Sequence, residues 1–396
     1  MQTSFRRAWV PLSLCALSAA CSGDFLVGPA SGTGGAAPVL AAGPTSGADG
    51  SATSTSDGGR GCGTPLAPVT LLSLNLHCFR LDGTVFATNA ERFAAIASLA
   101  AARDVAVIAV QESCERPGEK AIALLRAALE KASAASWSST WAFAHVAWEG
   151  TPEQADEGVG LLVRGALSNA AALPLAVQGP LRRIVVSATL PPELGGSRVT
   201  SVHFEAFEAK ARTMQAREVA AAALVDTDAE FSAIVAGDFN DVEGSAAHAA
   251  FAAMGYLAAD AGLAPKGIDH VMIHRAAKLR PTRAEEVFLG AAAVSDHPGL
   301  LVRFESAAGD GVVATRIKAK AAPGAGHFIA LRGDTAPLSW GLGYPMRQAA
   351  PGEHAFVTTE LPGAFSFKVL VDDTAWQTGP NQPGVAGKDH VVTPAF

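Results

Sequence analysis

Charged residues are scarce in this chain of 396 residues, and basic residues are outnumbered by acidic ones. Asp, Glu, Lys and Arg together make up 17% of the sequence, and 30 Lys and Arg stand against 37 Asp and Glu. The formal net charge of −7 therefore argues against a protein that grips polyanions through a broad basic surface. It does not exclude an enzyme that acts on polyanions, because bound divalent cations reverse the sign of the charge locally.

Long apolar runs and internal repeats are also lacking. The longest apolar stretch near the start, Ala8 to Leu17, is too short for a typical membrane-spanning helix. Hydrophobic residues nevertheless make up 49% of the chain, so a sizeable core is expected and global disorder is not. The length predicts two or three domains.

The N-terminus has the layout of an export signal. Arg6 and Arg7 precede the apolar run, which closes with small residues directly before Cys21. This segment resembles a bacterial lipoprotein signal over residues 1–21. The resemblance implies that Cys21 is lipidated and that the exported chain is anchored to the bacterial cell envelope, at the outer membrane or the cell surface, since Ser22 follows the cysteine. The alternative is an ordinary cleaved signal peptide with a coincidental cysteine.

Composition divides the rest of the chain into three parts. Residues 22–68 are rich in Gly, Ala, Ser, Thr and Pro, which predicts a disordered linker. Residues 69–305 alternate short apolar runs with helical patterns, and residues 312–396 contain strand-like runs separated by turns. We expect an α/β (α+β) four-layer sandwich of two packed mixed sheets flanked by helices, followed by a small all-β sandwich. Glu305–Gly311 is predicted to be the linker between them.

Several elements of the larger domain can be assigned from the pattern. Asn89 is expected to cap a helix that runs to about Ala100, and Ala211–Leu224 is predicted to be a second, alanine-rich helix. The predicted strands are Val69–Leu76, Val105–Val110, Thr140–Trp148, Val159–Val163, Arg183–Thr189, Val199–His203, Ala233–Ala236, Ile268–Ile273 and Leu300–Phe304.

Short polar clusters end or follow these strands, where ligands converge in layered α/β folds. In chain order they are Asn75-Leu-His77, Gln111-Glu112, His203, Gly237-Asp238-Phe-Asn240, Asp269 and Ser295-Asp296-His297. Each motif alone is common in turns and strand ends. Together and in this order they resemble the endonuclease/exonuclease/phosphatase superfamily, which includes DNase I, abasic-site endonucleases, bacterial sphingomyelinases and inositol-polyphosphate phosphatases. The resemblance spans about Val69 to Phe304 and implies a DNase I-like fold.

The resemblance implies a divalent metal site. Glu112 would be the principal ligand, supported by Asn75 and, from across the cleft, by Asp296. Oxygen ligands with one or two carboxylates suit Mg²⁺ or Mn²⁺.

It also implies the catalytic groups. Asp238 would position or deprotonate the attacking water, and Asn240 would donate to a phosphoryl oxygen. His297, oriented by Asp269, would contact the phosphate or act as general base. His203 would be the acid or phosphate ligand on the leaving-group side. We expect His77 and His270 to orient neighbours or face solvent.

The chain departs from the superfamily pattern at the His203 strand, which reads Ser201-Val-His203-Phe where members often have Asn-x-His-Leu, and in its tyrosines. Many members have an active-site tyrosine between the glutamate and the first histidine, but the two tyrosines here, Tyr256 and Tyr344, lie outside that interval. Substrate contacts are therefore expected to differ.

Three cysteines remain if Cys15 leaves with the signal and Cys21 carries lipid. An oxidising compartment favours one disulfide. Cys78 and Cys114 each follow a motif at the same sheet end and are the preferred pair, with Cys62 as a competitor for either.

The C-terminal part resembles starch-binding-type carbohydrate-binding modules. Its pattern places Trp340, Lys368 and Trp376 around one sugar site, with Asn381 close by. In the alternative interpretation both tryptophans are core residues, and the module is a spacer or contacts other proteins.

Three functional hypotheses follow. The first is an extracytoplasmic, metal-dependent phosphodiesterase or nuclease. The second is a sphingomyelinase-like enzyme or a phosphatase of small phosphoesters. The third belongs to another class, a non-catalytic surface lipoprotein that binds glycans.

Overall fold

A computed structural model describes residues 67–227, 231–263 and 267–396. The predicted signal, the lipidation site Cys21, Cys62 and nearly all of the predicted linker lie outside these residues. No helix in the described ranges is long and apolar enough to cross a membrane.

The larger domain is built from short strands and a few helices. The strands in chain order are β1 (Val69–Asn75), β2 (Val105–Arg116), β3 (Glu119–Lys120), β4 (Trp137–Ala147), β5 (Ala155–Arg164), β6 (Ser168–Pro174), β7 (Ile184–Thr189), β8 (Arg198–His203), β9 (Ala233–Asp238), β10 (Tyr256–Ala258), β11 (Asp269–His274), β12 (Leu279–Val287) and β13 (Gly299–Ser306). The α-helices are α1 (Asn89–Ala102), α2 (Ala121–Ser133), α3 (Ala209–Val225) and α4 (Ala246–Ala253), and short 3₁₀ turns cover Pro192–Leu194 and Gly290–Ala292.

The strands form two mixed sheets. The first has the order β12-β13-β1-β2-β5-β4 with β3 paired to β2, and the second has the order β10-β11-β9-β8-β7-β6. In each sheet one central pair is parallel, β1 with β2 and β8 with β9, and the other pairs are antiparallel.

The core lies in three apolar layers. One layer fills the space between the two sheets, a second lies between the first sheet and α1 and α2, and a third covers the outer face of the second sheet beneath α3 and α4. The central strands β1, β8 and β9 are buried along their whole length. This fits the arrangement, because successive side chains point to opposite faces and both faces of each sheet are covered. The expected four-layer sandwich is confirmed.

The start of α1 corrects one expectation. The N-cap is Thr88, not Asn89: the Thr88 hydroxyl accepts from the backbone N–H of Glu91, and the Glu91 carboxylate accepts from the backbone N–H of Thr88. This reciprocal pair is a capping box. Asn89 instead donates its side-chain amide to the carbonyl of Phe79.

The C-terminal part is an all-β sandwich of two small sheets, as expected. Its strands are β14 (Thr315–Lys320), β15 (Ile329–Gly333), β16 (Tyr344–Pro345), β17 (Arg347–Ala350), β18 (Glu353–Thr358), β19 (Ala364–Val371), β20 (Ala375–Trp376), β21 (Gln382–Val385) and β22 (Asp389–Val392). One sheet has the order β17-β18-β14-β22, and the other has the order β16-β15-β19-β20 with β21 paired to β19.

The sandwich packs closely on α3. Buried residues of α3, such as Val219, share one apolar cluster with Phe356 and other residues of the sandwich. Arg217 donates to the carbonyls of Leu342 and Gly343 and lies 3.8 Å from the ring centre of Tyr344. The two domains therefore share part of their core.

The segment between the domains is more ordered than the prediction of a linker implies. Glu305 and Ser306 belong to β13, and Ala307 donates to the carbonyl of Lys278. Further along, Asp310 forms ion pairs with Arg275 and Arg280. These contacts hold the connection against the larger domain.

Candidate active site

Polar side chains meet at one edge of the sandwich because of the strand register. In the first sheet Asn75, the last residue of β1, pairs with Gln111 of β2, which directly precedes Glu112. In the second sheet Asp238 lies between His203 and Asp269. The carboxyl ends of parallel strands lie at the same edge of a sheet, so the predicted residues are brought together.

Two of these residues have a backbone conformation that non-glycine residues rarely adopt. Glu112 has a φ of 45° and Asn240 has a φ of 51°. The pairing of β2 with β5 shifts register between Val110 and Ser113, which places Glu112 in a bulge. Bulges and left-handed residues cluster at functional sites because they re-aim side chains.

Asn75 connects the two carboxylates that were predicted to serve the metal and the water. It is fully buried, and its Nδ2 lies 2.9 Å from Glu112 Oε1 and 3.3 Å from Asp238 Oδ2. Glu112 and Asp238 therefore converge on one amide group. In this orientation the Asn75 amide nitrogen faces both carboxylates and aligns them. For Asn75 to bind the cation directly, its amide would have to rotate so that Oδ1 points towards the space between Glu112 and Asp238.

His77 connects Asp296 to Asn75. The backbone N–H of His77 donates to Asn75 Oδ1 over 2.9 Å, and its Nδ1 lies 3.4 Å from Asp296 Oδ1. His77 thus orients its neighbours, one of the two roles expected for it. The Asp296 side chain is 47% exposed, so it lies at the rim of the site.

On the other side of Asp238 lies a histidine–carboxylate pair. His297 Nδ1 is 2.8 Å from Asp269 Oδ2, and His297 Nε2 is 4.0 Å from Asp238 Oδ2. Ligand atoms of Asp238, Asp269 and His297 lie within 4.8 Å of one another. The oxygen atoms on the Glu112 side suit a hard divalent ion better than a set that includes the His297 imidazole.

His203 belongs to a buried network that the sequence did not reveal. Its Nδ1 lies 3.7 Å from Glu157 Oε1, and its Nε2 lies 3.6 Å from Asp238 Oδ2. Glu157 also faces His145 at 3.6 Å and Arg183 at 3.8 Å. Glu157 and His145 are paired across β5 and β4, and no local motif marks either of them.

The pKa values of the two histidines predicted to be catalytic are shifted in opposite directions. Burial, with Arg183 and His145 nearby, lowers the pKa of His203 well below its usual value, so the ring is neutral. Burial would also lower the pKa of His297, but the hydrogen bond to Asp269 and the surrounding carboxylates outweigh it and raise this pKa to about 9. A neutral and a protonated imidazole thus flank Asp238.

Burial and repulsion from neighbouring carboxylates raise the pKa values of two buried carboxyl groups in the site, Asp238 and Glu157. Burial, reinforced by repulsion from Asp269, raises the pKa of Asp238 to about 7. Burial and the nearby Glu112 raise the pKa of Glu157 to about 8. A cation among these groups would relieve the repulsion, and the oxygens of Glu112 and Asp238 are the ligands that hard divalent ions prefer. The residues present therefore fit such a cation.

Asn240 retains one free amide hydrogen for the predicted contact with a phosphoryl oxygen. Its backbone N–H donates to Asp238 Oδ1 over 2.8 Å, and its Nδ2 donates to the carbonyl of Phe204 over 3.0 Å. A side-chain amide has two hydrogens, so one remains for a substrate oxygen.

A disulfide joins Cys78 to Cys114, with 4.8 Å between their Cα atoms. Both cysteines are buried. Cys78 follows His77, and Cys114 lies two residues after Glu112. The disulfide therefore links the segment that carries Asn75 and His77 to the segment that carries Glu112.

In the C-terminal sandwich, Trp340 and Trp376 lie near each other, with ring centres 6.1 Å apart and planes inclined by 45°. Trp376 is 41% exposed and Trp340 is half-buried. Lys368 Nζ donates to the carbonyls of Gln377 and Gly379, and Asn381 is exposed.

The fold and the site together define a class of enzyme. Two packed mixed sheets carry converging carboxylates at one edge, beside two histidines whose pKa values are shifted in opposite directions, and this combination suits metal-assisted hydrolysis of phosphoric esters. The profile of the Endonuclease/Exonuclease/phosphatase family matches residues 72–297. The chain belongs to this family and is a phosphoric ester hydrolase. Members of the family generally use divalent metals.

Solved structures of similar fold are distant in sequence. A family protein from Leptotrichia buccalis is 19% identical with a TM-score of 0.48, over 60% of this chain and 99% of that one. One from Beutenbergia cavernae is 15% identical with a TM-score of 0.49, over 80% and 99%. A mannosyl-6-phosphatase from Bacteroides thetaiotaomicron is 14% identical with a TM-score of 0.45, over 60% and 99%. None of the curated proteins matches the chain.

Proposed function

We propose that this protein is a Mg²⁺- or Mn²⁺-dependent phosphodiesterase that cleaves nucleic acid outside the cytoplasm. The observation that carries the proposal is the placement of His203 and His297 at 3.6 Å and 4.0 Å from Asp238 Oδ2, with the pKa of His203 lowered and the pKa of His297 raised. Cleavage of a phosphodiester needs one group that accepts a proton from water and one that stabilises the departing alkoxide.

The charges of the two histidines indicate which of them takes each role. His203 is neutral and can accept a proton, together with Asp238, which orients the attacking water. His297 is protonated and can donate to the phosphate or to the leaving oxygen. This assignment reverses the roles that the family resemblance implies for the two histidines. Glu112, with Asp238 and Asp296, would hold the cation, which would supply positive charge to neutralise the phosphate.

An exposed aromatic side chain favours nucleic acid as the substrate. Phe207 is 72% exposed and lies four residues after His203, in the segment that follows β8. Its backbone N–H is fixed by the buried Glu205. An exposed ring beside a phosphoesterase site can stack on a base, which contributes about 1–3 kcal/mol per base.

The test is hydrolysis of plasmid DNA, RNA, sphingomyelin and inositol phosphates by the full chain. We expect cleavage of nucleic acid that EDTA abolishes and that Mg²⁺ or Mn²⁺ restores. Asp238→Asn should lower kcat by about 10²–10⁴ while the protein stays folded. Asp241→Asn, three residues further along in the loop that follows β9, is the matched control. Turnover of sphingomyelin with inert DNA would favour the lipid substrate instead.

We further propose that the C-terminal sandwich binds a glycan at Trp340 and Trp376. Aromatic faces at this spacing suit the apolar faces of sugar rings, and Arg332 supports both by donating to the carbonyl of Trp340 and lying under the ring of Trp376. A glycan array that compares the wild type with Trp376→Ala tests this idea, and equal binding would contradict it.

Lipidation of Cys21 and attachment to the cell envelope are proposed from the sequence of residues 1–21. The wild type should fractionate with membranes, and Cys21→Ser should not. Equal fractionation of both proteins would contradict the anchor.

A further inference from the structure

Arg92 is a buried arginine whose hydrogen-bond partners are backbone carbonyls. It lies in the first turns of α1 and has an exposed fraction of 0%. Burial lowers the pKa of its guanidinium to about 10, so the group is still charged at neutral pH. A buried charge is tolerated only when it is well hydrogen-bonded.

The carbonyls come from two segments of the site. Nη1 donates to Leu76 O at 2.9 Å and Arg80 O at 3.0 Å, and Nη2 donates to Cys78 O at 2.6 Å. A longer contact of 3.5 Å reaches the carbonyl of Val294, two residues before Asp296. The guanidinium fork therefore touches both the 76–80 segment and the segment that leads to Asp296 and His297.

The 76–80 segment needs such support. His77 and Cys78 have φ values of 47° and 50°, in the left-handed region that disfavours residues with a Cβ. His77 is also the residue that contacts Asn75 through its backbone N–H and Asp296 through its ring. A shift of this segment would therefore move both Asn75 and Asp296.

We propose that Arg92 is a positioning residue for the divalent cation: it fixes the 76–80 segment so that Asn75, Glu112 and Asp296 keep the geometry that binds the ion. The inference rests on the proposed metal-dependent function and deepens it. Arg92 would act through the backbone carbonyls to which it donates, not as a ligand. Lysine keeps the charge but has a single nitrogen, so it cannot reproduce the fork.

The test compares Arg92→Lys with the matched control Arg198→Lys. Arg198 is also buried and also donates to a backbone carbonyl, that of Asn169, but it starts β8 at the end opposite to His203. Mn²⁺ affinity is measured directly by electron paramagnetic resonance, without substrate. We expect Arg92→Lys to weaken Mn²⁺ binding by about 10–100-fold, as changes to groups that support metal ligands do. Arg198→Lys should leave the affinity within about twofold of the wild type, whatever its effect on stability.

The outcomes separate the two proposals. If the wild type does not bind Mn²⁺, the proposed function fails. If the wild type binds Mn²⁺ and Arg92→Lys binds it equally well, Arg92 has only a structural role and the inference is overturned. If Arg92→Lys does not fold, His77→Gln decides: it keeps the backbone contact with Asn75 but removes the ring contact with Asp296, one of the two contacts through which the 76–80 segment reaches the site. Weaker binding by that variant supports the inference, and unchanged affinity refutes it.

Discussion

His297 donates from Nδ1 to Asp269 Oδ2 over 2.8 Å, and this contact keeps the imidazole protonated at neutral pH. The pKa of His297 is raised to about 9, so the ring loses its proton only as the pH rises through that value. We therefore expect kcat/KM to fall above about pH 9. In Asp269→Asn the falling limb should move to lower pH, towards the ordinary histidine pKa of about 6.5.

The measurement is a pH profile of kcat/KM from pH 6 to 10. Asp260→Asn is the control, because Asp260 makes an equally short contact of 2.9 Å, but to His270. If kcat/KM fell at the same pH in Asp269→Asn and in the wild type, the role of this hydrogen bond would be contradicted.

Glu157 holds His203 from the side opposite to Asp238. In Glu157→Ala the ring of His203 loses this partner, and we expect kcat to fall by roughly 10–100-fold, a part of what general acid–base catalysis contributes. Mn²⁺ affinity should change little. Steady-state kinetics with a direct binding measurement checks both, and Glu115→Ala, which breaks an ion pair with Lys120, is the control. A loss confined to metal affinity would show that Glu157 serves the cation instead.

Glu218 predicts a pH-dependent stability. It is buried in α3, where it accepts from the backbone N–H of Ala176, and burial raises its pKa to about 8. The folded chain therefore holds a proton that the unfolded chain releases near pH 4.5. The free energy of unfolding should then fall between about pH 4.5 and 8, by up to about 5 kcal/mol.

Glu218→Gln keeps an acceptor for Ala176 and removes the titration. Urea unfolding at pH 5 and pH 8 should show a smaller difference for this variant than for the wild type. Glu208→Gln, at an exposed position beside the same helix, should behave like the wild type. Equal pH dependence in all three proteins would mean that Glu218 is ionised in the folded state.

The contact between α3 and the C-terminal sandwich predicts mutual stabilisation. Arg217→Ala removes two charged hydrogen bonds and the contact with Tyr344, so the free energy of unfolding should fall by about 2–4 kcal/mol. Arg126→Ala, at an exposed position on α2, should have little effect. A chain that ends after Ser306 should aggregate, because Val219 and its neighbours on α3 would be exposed. A stable, monomeric truncated protein would disprove the dependence.

The sequence predicted the elements that carry the site more completely than the contacts within it. Strands such as β1 and β9 are apolar runs that end in polar residues, and this local signal predicts both the strand and the place where its ligand group emerges. The helix α2 was missed because its N-cap, Lys120, has no side-chain capping bond and no capping residue marks its start.

Other features depend on residues far apart in the chain. Glu157 lies within a strand and meets His203 only through the packing of one sheet on the other, so no local pattern distinguishes it. The connection around Asp310 has the composition of a linker, and only its ion pairs with Arg275 and Arg280 reveal its order. The cap at Thr88 could have been predicted from the sequence, because a Thr followed three residues later by Glu is the capping-box pattern.

The left-handed backbone at Glu112 and Asn240 also bears on enzyme design. Copying the predicted metal-binding and catalytic side chains onto another scaffold would reproduce their identities but not the bulge and turns that aim them. A designer who starts from this site must therefore transplant whole strand ends, with their main-chain torsions, rather than individual amino acids.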